Sequence, residues 1–257
     1  VFATTQGEIQ TAETLIAEGA AGGRVPGQNY GGRINWDGAF SIAGVPPGRY
    51  TLRASSGRDD IPRFAAQPLT AAGDMAEVGV VLLPGVTVSG TVTLEATVSA
   101  VLPNATDFRV AVASTEVDSF GGNTNTRVDS EGRFMLENVP AGTHWIRGQA
   151  PRGWTLKSAT AGGRNIVDTP LELKSGEPLD GLRLVFTDKL SELSGNVTNA
   201  QGAPVTEYTV VAFPEDSTLW RPQSRHIMTA RPDQTGRFQI RGLPPGDYYL
   251  AAVDPAE

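Results

Sequence analysis

His144 and His226 are the only histidines in a chain of 257 residues that has no cysteine. A catalytic zinc site takes about three protein ligands from His, Glu or Cys. Neither histidine has partners at a ligating spacing such as H-E-x-x-H. No G-x-S-x-G elbow lifts a serine into position as a nucleophile. The paired glycines at Gly22, Gly31, Gly121 and Gly162 lack the strand–loop–helix setting of a phosphate cradle. Asp59 and Asp60 stand side by side, without the alternating carboxylates of a calcium loop. The only lysines are Lys157, Lys174 and Lys189. Lys–Asn cross-links within residues 1–85 are therefore excluded. Catalysis is not the expected role, and no cofactor or metal is implied.

Aromatic side chains beside cations remain. Trp220 shares the stretch "WRPQSRHIM" with Arg221, Arg225 and His226. This places a π face and fixed positive charge in one loop between strands. Trp36 lies inside the turn "NWDG", where side chains point to water. An indole face can stack on a sugar ring, so Trp36, Trp220, Arg221, Arg225 and His226 form the candidate ligand-binding set. Packing against a neighbouring unit is the competing role for both tryptophans. His226 is expected at an exposed loop edge. Trp145 and Trp154 flank strands and are expected to pack, and His144 is expected to be structural.

The elements that must position these residues are set by a phrase that occurs three times. "FSIAGVPPGRYTL" begins at Phe40, "FMLENVPAGTHWI" at Phe134 and "FQIRGLPPGDYYL" at Phe238, with spacings of 94 and 104 residues. Each copy follows a turn, "NWDG", "DSEG" or "DQTG", in which an Asx acceptor leads and a glycine three residues later takes positive φ. These read as hairpin connections. Phe40 and Ile42, Phe134 and Leu136, Phe238 and Ile240 alternate and face inward. The Pro-x-Gly that follows ends the strand, since proline donates nothing to a ladder. The chain then re-enters as a second alternating strand whose inward residues are Tyr50, Leu52 and Ala54; His144, Ile146 and Gly148; Tyr248, Leu250 and Ala252. A tyrosine just past such a turn has the placement of a tyrosine corner, with its hydroxyl bonded to upstream backbone. His144 occupies that position in the middle copy, so there the bond must be replaced or lost.

"TVSGTVT" at Thr87 and "ELSGNVT" at Glu192 repeat 105 residues apart and mark where units open. Apolar strands, "VGVVLL" from Val78 and "LRLVF" from Leu182, precede them. Three units are implied, at 1–85, 86–188 and 189–257, each near the roughly 100 residues of an immunoglobulin-like sandwich. Short linkers make the array a semi-rigid rod. The first unit lacks an S-G-x-V opening and the third stops before its last strands, so the chain is expected to be an internal fragment. "TAETLIAEGAA" from Thr11 breaks the pattern and is expected to be a short helical turn or irregular loop.

"LSGNVTNAQGAPVTEYTVVAFPED" followed by "TARPDQTGRFQIRGLPPGDYYLAAVD" resembles the carboxypeptidase regulatory-like domain, a transthyretin-like (prealbumin-like) sandwich of seven strands. The middle unit is similar from Val88 to Phe186 without the G-x-P-V turn, and the first from about Arg33 onward. The resemblance implies an all-β chain of tandem Greek-key, Ig-like sandwiches. It also implies an accessory module without chemistry of its own, as in arrays of secreted or outer-membrane bacterial proteins. Some classifications group this fold with carbohydrate-binding folds.

Composition agrees with a folded, turn-rich chain: 30 Gly, 18 Pro and 39% hydrophobic residues. A net charge of −7 disfavours nucleic acid and anionic lipid surfaces, which both need a basic stripe. No apolar run approaches the ~20 residues of a membrane-spanning helix. The expected partners are a polysaccharide or a cell-envelope protein, and the expected location is extracytoplasmic: periplasmic, outer-membrane-associated or secreted. The expected function is spacing and presentation. The alternative is an accessory or regulatory array attached to a peptidase or a TonB-dependent transporter.

Overall fold

The computed structural model describes residues 12–19, 30–32, 34–35, 38–56, 61–72, 78–97, 101–115, 123–221 and 224–253. Among these the chain is all-β; two 3-10 turns, Ala105–Asp107 and Ser217–Leu219, are its helical elements. Strands β1 (Ala12–Gly19), β2 (Tyr30–Gly32), β3 (Gly48–Ser56), β4 (Arg63–Ala71) and β5 (Leu83–Pro84) form one sheet in the order β2-β1-β3-β4-β5. Phe40, Leu52, Ala54, Val78 and Val80 form its core.

Nine strands follow: β6 (Val86–Glu95), β7 (Arg109–Ser114), β8 (Asn123–Arg127), β9 (Arg133–Val139), β10 (Gly142–Gln149), β11 (Thr155–Ala161), β12 (Arg164–Asn165), β13 (Leu171–Leu173) and β14 (Leu179–Thr187). They make two facing sheets, β13-β10-β7-β8 and β12-β11-β14-β6-β9. Val110, Val112 and Ile146 from the first sheet meet Val88, Phe134, Leu136, Leu184 and Phe186 from the second in one sealed core. The chain passes from sheet to sheet between β8 and β9, β9 and β10, and β10 and β11, as in a Greek-key sandwich. β14 lies parallel to β6 and closes the second sheet.

The last strands are β15 (Glu192–Asn196), β16 (Thr209–Pro214), β17 (Met228–Ala230), β18 (Arg237–Arg241) and β19 (Tyr248–Val253). They form the pair β15-β18 and the sheet β17-β16-β19 around Tyr208, Val210, Ala212, Phe238 and Ile240.

The three Asx turns close as their residues dictate. Gly38, Gly132 and Gly236 have φ of 82°, 80° and 77°. Asp129 Oδ1 accepts from the Glu131 and Arg133 amides, and Asp233 Oδ1 from those of Thr235 and Arg237. The first is a hairpin connection, closed by the antiparallel bridge between Ile34 and Phe40, but the other two are not. β8 pairs with β7 while β9 pairs with β6, and β17 pairs with β16 while β18 pairs with β15. Each of these two turns carries the chain across the core. The inward Phe and Ile/Leu of the next strand must face a core already walled on its other side, so the strands beside the turn separate into opposite sheets.

The corners form as their chemistry requires. Tyr50 donates to the Pro46 carbonyl at 2.7 Å and Tyr248 to that of Pro244 at 2.9 Å. His144 replaces this bond with a shorter loop, its Nδ1 lying 3.0 Å from the Gly142 carbonyl. Burial pushes the His144 pKa down, and the Gly142 carbonyl offsets this only in part.

Three expectations are corrected. Ala12–Gly19 is a strand, not a helical turn; it is held between β2 and β3, and ladder pairing on both sides overrides local helix propensity. Val78–Leu82 runs outside any ladder, burying Val78 and Val80 without strand partners. Leu250 and Ala252 are exposed, although they share a face with the buried Ala212 and Val210 opposite them. β19 is an edge strand, and the pair β15-β18 does not reach over that part of its inner face.

Phe134 is 5% exposed and its neighbour Met135 56%. Phe134→Ala should cost about 3–5 kcal/mol in urea unfolding through the cavity it leaves. Met135→Ala should stay within about 0.5 kcal/mol. Equal losses would mean the assigned faces of β9 are wrong.

Candidate functional site

The loop between β16 and β17 starts with a capped turn. Asp216 Oδ1 accepts from the Thr218 amide at 2.9 Å and from its hydroxyl at 2.7 Å. Trp220 follows, and its Nε1 donates to the Pro214 carbonyl at 2.7 Å. The indole packs edge-on against Phe213, with centroids 5.4 Å apart, and Phe213 in turn meets Tyr249 at 5.6 Å. Trp220 remains 52% exposed and Tyr249 50%. This is a surface aromatic trio on the third group of strands.

Beyond Trp220 the loop turns toward the middle sandwich. The Arg221 guanidinium lies over the Trp145 ring, its Cζ 4.1 Å from the centroid, and Arg147 approaches the same ring at 5.1 Å. Arg221 Nη2 also donates to the Asp168 backbone carbonyl at 3.1 Å. Its Nε is buried with no hydrogen-bond partner, so the stacked ring face and the Asp168 carboxylate, 3.6 Å from Nη2, offset its desolvation.

Arg225 grips Asp168 with two parallel bonds, Nε to Oδ1 at 2.9 Å and Nη2 to Oδ2 at 2.6 Å. Its third nitrogen, Nη1, donates to the Leu156 carbonyl at 2.9 Å. Such a fork is the strong form of a guanidinium–carboxylate contact. His226 sits behind it. Nδ1 is 3.0 Å from the Tyr248 hydroxyl, whose own proton goes to Pro244, so Nδ1 is the donor. Nε2 is 3.1 Å from Asp168 Oδ2, an ion-pair distance without hydrogen-bond alignment.

One carboxylate thus faces Arg225, His226 and Arg221. Partial burial alone would raise the Asp168 pKa, but the Arg225 bonds and the adjacent His226 outweigh it and hold it below the usual range. Cations are in excess: burial and the nearby Arg221 charge lower the pKa of Arg147.

Of the candidate residues, Arg221, Arg225 and His226 come together, and Trp220 stands at the rim. Trp36 lies outside the described residues, as do Asp59 and Asp60. His226 is buried at 6% exposure, not at an exposed loop edge, because the loop folds under Tyr248 and onto Asp168. Asp168 and the docking role of Trp145 escaped sequence reasoning. A loop with two arginines and a histidine in an acidic chain does call for a carboxylate partner, but nothing in "NIVDTP" marks which. Trp154 packs edge-on against Phe108 in the core, as expected.

His144 lines a cleft of about 670 Å³ between β4 and β13, bordered also by Arg53, Phe64 and Lys174. Lys157 pairs with Glu95 at 2.7 Å at the surface. Among the described residues no three His, Asp or Glu side chains are grouped to hold a metal ion. None of the helical elements described is long and apolar enough to cross a membrane.

Asp168→Asn should weaken the junction by about 1.5–3 kcal/mol, the range for hydrogen bonds to charged groups. Because the folded pKa of Asp168 is lowered, its contribution is fully present above the unfolded value of about 3.9 and is lost as pH falls through the folded value. Wild type and Asp168→Asn should therefore differ at pH 7, begin to converge below about pH 4 and meet only in stronger acid. A difference that persists unchanged into acid would show that the carboxylate charge is not what binds the loop.

Residues 192–255, about a quarter of the chain, match the family model of the carboxypeptidase regulatory-like domain. No curated protein matches the chain. Among solved structures, a streptococcal ancillary pilin is similar at 15% identity, over 88% of this chain and 71% of its own, with a TM-score of 0.27. The minor pilin of Streptococcus agalactiae is similar at 9% identity over 70% and 83%, with a TM-score of 0.32. The Bacillus anthracis TIE protein is similar at 13% identity with a TM-score of 0.25; the match covers 99% of this chain and 44% of the Bacillus protein.

Proposed function

We propose that this chain is a non-catalytic, extracytoplasmic spacer of a bacterial envelope or secreted protein. In it, sandwiches at 1–85, 86–188 and 189–257 follow one another at fixed angles and present what they carry. The observation that carries this reading is the Arg225–Asp168 fork. A flexible linker needs no two-bond contact with a third bond to the Leu156 carbonyl, a cation stacked on Trp145 and a buried histidine behind them. The family match to residues 192–255 supports the non-catalytic part of this reading. Both histidines and the loop arginines are engaged in packing and pairing, which leaves them structural work.

The chain has no cysteine, so paired spin labels can be placed at Glu172→Cys and Thr229→Cys, both exposed. The expected result is one narrow distance distribution that broadens when Asp168→Ala is added. A broad distribution with Asp168 intact would overturn the fixed-angle reading.

Trp220, Phe213 and Tyr249 favour a second role for the same array, a platform for polysaccharide. The indole nitrogen is held by Pro214 while the ring stays half-exposed, a pre-set face that need not be ordered on binding. Burying it against a sugar would contribute about 1–3 kcal/mol, enough for weak single-site affinity. Glycan-array retention should be present in wild type and lost in Trp220→Ala and Tyr249→Ala. Retention that survives both changes would place the ligand elsewhere, and none in wild type would end the carbohydrate role.

A further inference from the structure

His144 is the corner residue of the middle sandwich, at the position that Tyr50 and Tyr248 hold in the other copies. Each tyrosine closes its turn with its one hydroxyl, donated to the carbonyl of the proline four residues before it. His144 closes its turn through Nδ1 and the Gly142 carbonyl instead. A carbonyl only accepts, so the proton of the neutral imidazole sits on Nδ1 and Nε2 is left as a bare acceptor. Burial favours that neutral form, since it lowers the pKa of the ring.

The ring is 4% exposed, and Gly142 is its one hydrogen-bond partner among the described residues. Nε2 is nonetheless not sealed away: the unpartnered side-chain atoms shut off from solvent, among the described residues, are Arg221 Nε and His226 Nε2. The His144 acceptor therefore opens on the cleft of about 670 Å³ that its ring lines. Pro140 lines the same cleft. Its carbonyl stands where those of Pro46 and Pro244 take the tyrosine hydroxyls, and His144 donates nothing to it. A tyrosine would have closed this corner without turning a bare acceptor toward the cleft.

The rest of the lining narrows what could donate. Arg53 and Lys174 stand against Glu172, an excess of positive charge in a chain of net charge −7. Among the described residues Lys174 makes no ion pair, so an ammonium donor would meet like charge. A hydroxyl donates without carrying charge. Phe64, Val81 and Leu83 give the first sandwich's wall an apolar surface, with Val81 and Leu83 exposed. The volume falls in the range of roughly 300–1,000 Å³ typical of small-molecule sites, which pair apolar walls with a few placed polar groups.

We propose that this cleft binds a small phenol, its hydroxyl donating to His144 Nε2 and its ring lying against Phe64, Val81 and Leu83. A phenol O–H is a stronger donor than that of an alkyl alcohol, and the flat ring suits an apolar wall. The structural work of His144 rests on Nδ1, so the site adds to the spacer reading and does not depend on it.

The probe is para-cresol, added to the intact chain labelled with nitrogen-15. The two imidazoles are resolved by the loss of one set of signals in His144→Tyr. The Nε2 signal of His144 should shift saturably while that of His226 stays in place, and the amides of Leu83 and Lys174 should move with it. Para-methylanisole, the same ring with the donor proton replaced by methyl, should bind at least about tenfold more weakly. His144→Tyr restores a hydroxyl within reach of the Pro140 carbonyl, so it should melt no lower than wild type, and its Leu83 and Lys174 amides should no longer respond. No saturable shift up to the solubility limit would overturn the proposal, as would equal binding of the methyl ether. A response at Leu83 and Lys174 that survives in folded His144→Tyr would overturn it as well.

Discussion

A phenylalanine ring laid over a glycine is the contact on which the sandwiches close. Gly90 stands directly opposite Phe134 across the β6–β9 ladder, and Gly195 opposite Phe238 across β15–β18. The rings lie so near that a Cβ on either glycine would crowd them. The two repeated phrases, S-G-x-V and the Phe-led copy, are therefore two halves of one packing interaction, separated by about forty residues of chain. The Asx turn before each phenylalanine fixes the direction from which the ring arrives, and the Pro-x-Gly after it frees the chain to cross to the other sheet. Tyrosine or histidine then ties that crossing back to its own turn. Register follows, because a slip of one residue would turn the ring to solvent and set the glycine against water.

The junction between the middle and third groups of strands works on different physics. One carboxylate gathers two guanidinium groups and an imidazole, and an indole takes the charge of a guanidinium over its face. Breaking such a contact on one side strands the remaining charges, which makes the loss larger than the net worth of the intact arrangement. On the proposed spacer reading the contact favours one orientation, since a displacement of a few ångströms would leave Arg225 and Arg221 partly buried and unpaired.

What could be read from the sequence was what the backbone repeats. Phe134, Leu136, Phe238 and Ile240 are inside because alternation and turn chemistry leave no other face for them. Tyr50 and Tyr248 bond upstream carbonyls because a corner requires it. The failures were non-local. Ala12–Gly19 has composition that suits a helix, and only pairing with β3 makes it a strand. The second and third turns looked like hairpins because their local hydrogen bonds are those of tight turns; which sheet each flanking strand joins is decided by partners tens of residues away. The candidate site divided along the same line. Arg221, Arg225 and His226 declared themselves by clustering in one loop, while Asp168, more than fifty residues upstream, had no local mark. His226 seemed exposed because a loop histidine usually is, and its burial depends on Tyr248 and Asp168 meeting around it.

The position after the corner residue shows how the copies diverge. Counting eleven residues from each phenylalanine gives Thr51, Trp145 and Tyr249, all on the outer face of their strands, opposite Pro68, Ala113 and Phe213. The inner positions on either side hold one kind of chemistry in every copy, a corner donor and then Leu or Ile. The outer position does not. A hydroxyl stands in the first copy, an indole that accepts Arg221 in the second, and a phenol beside Phe213 and Trp220 in the third. The core can constrain only the residues that face it, so outer positions are free to set what each sandwich touches. The sheet alternation that hides the phenylalanines thus also separates the residues that keep the fold from those that choose its contacts.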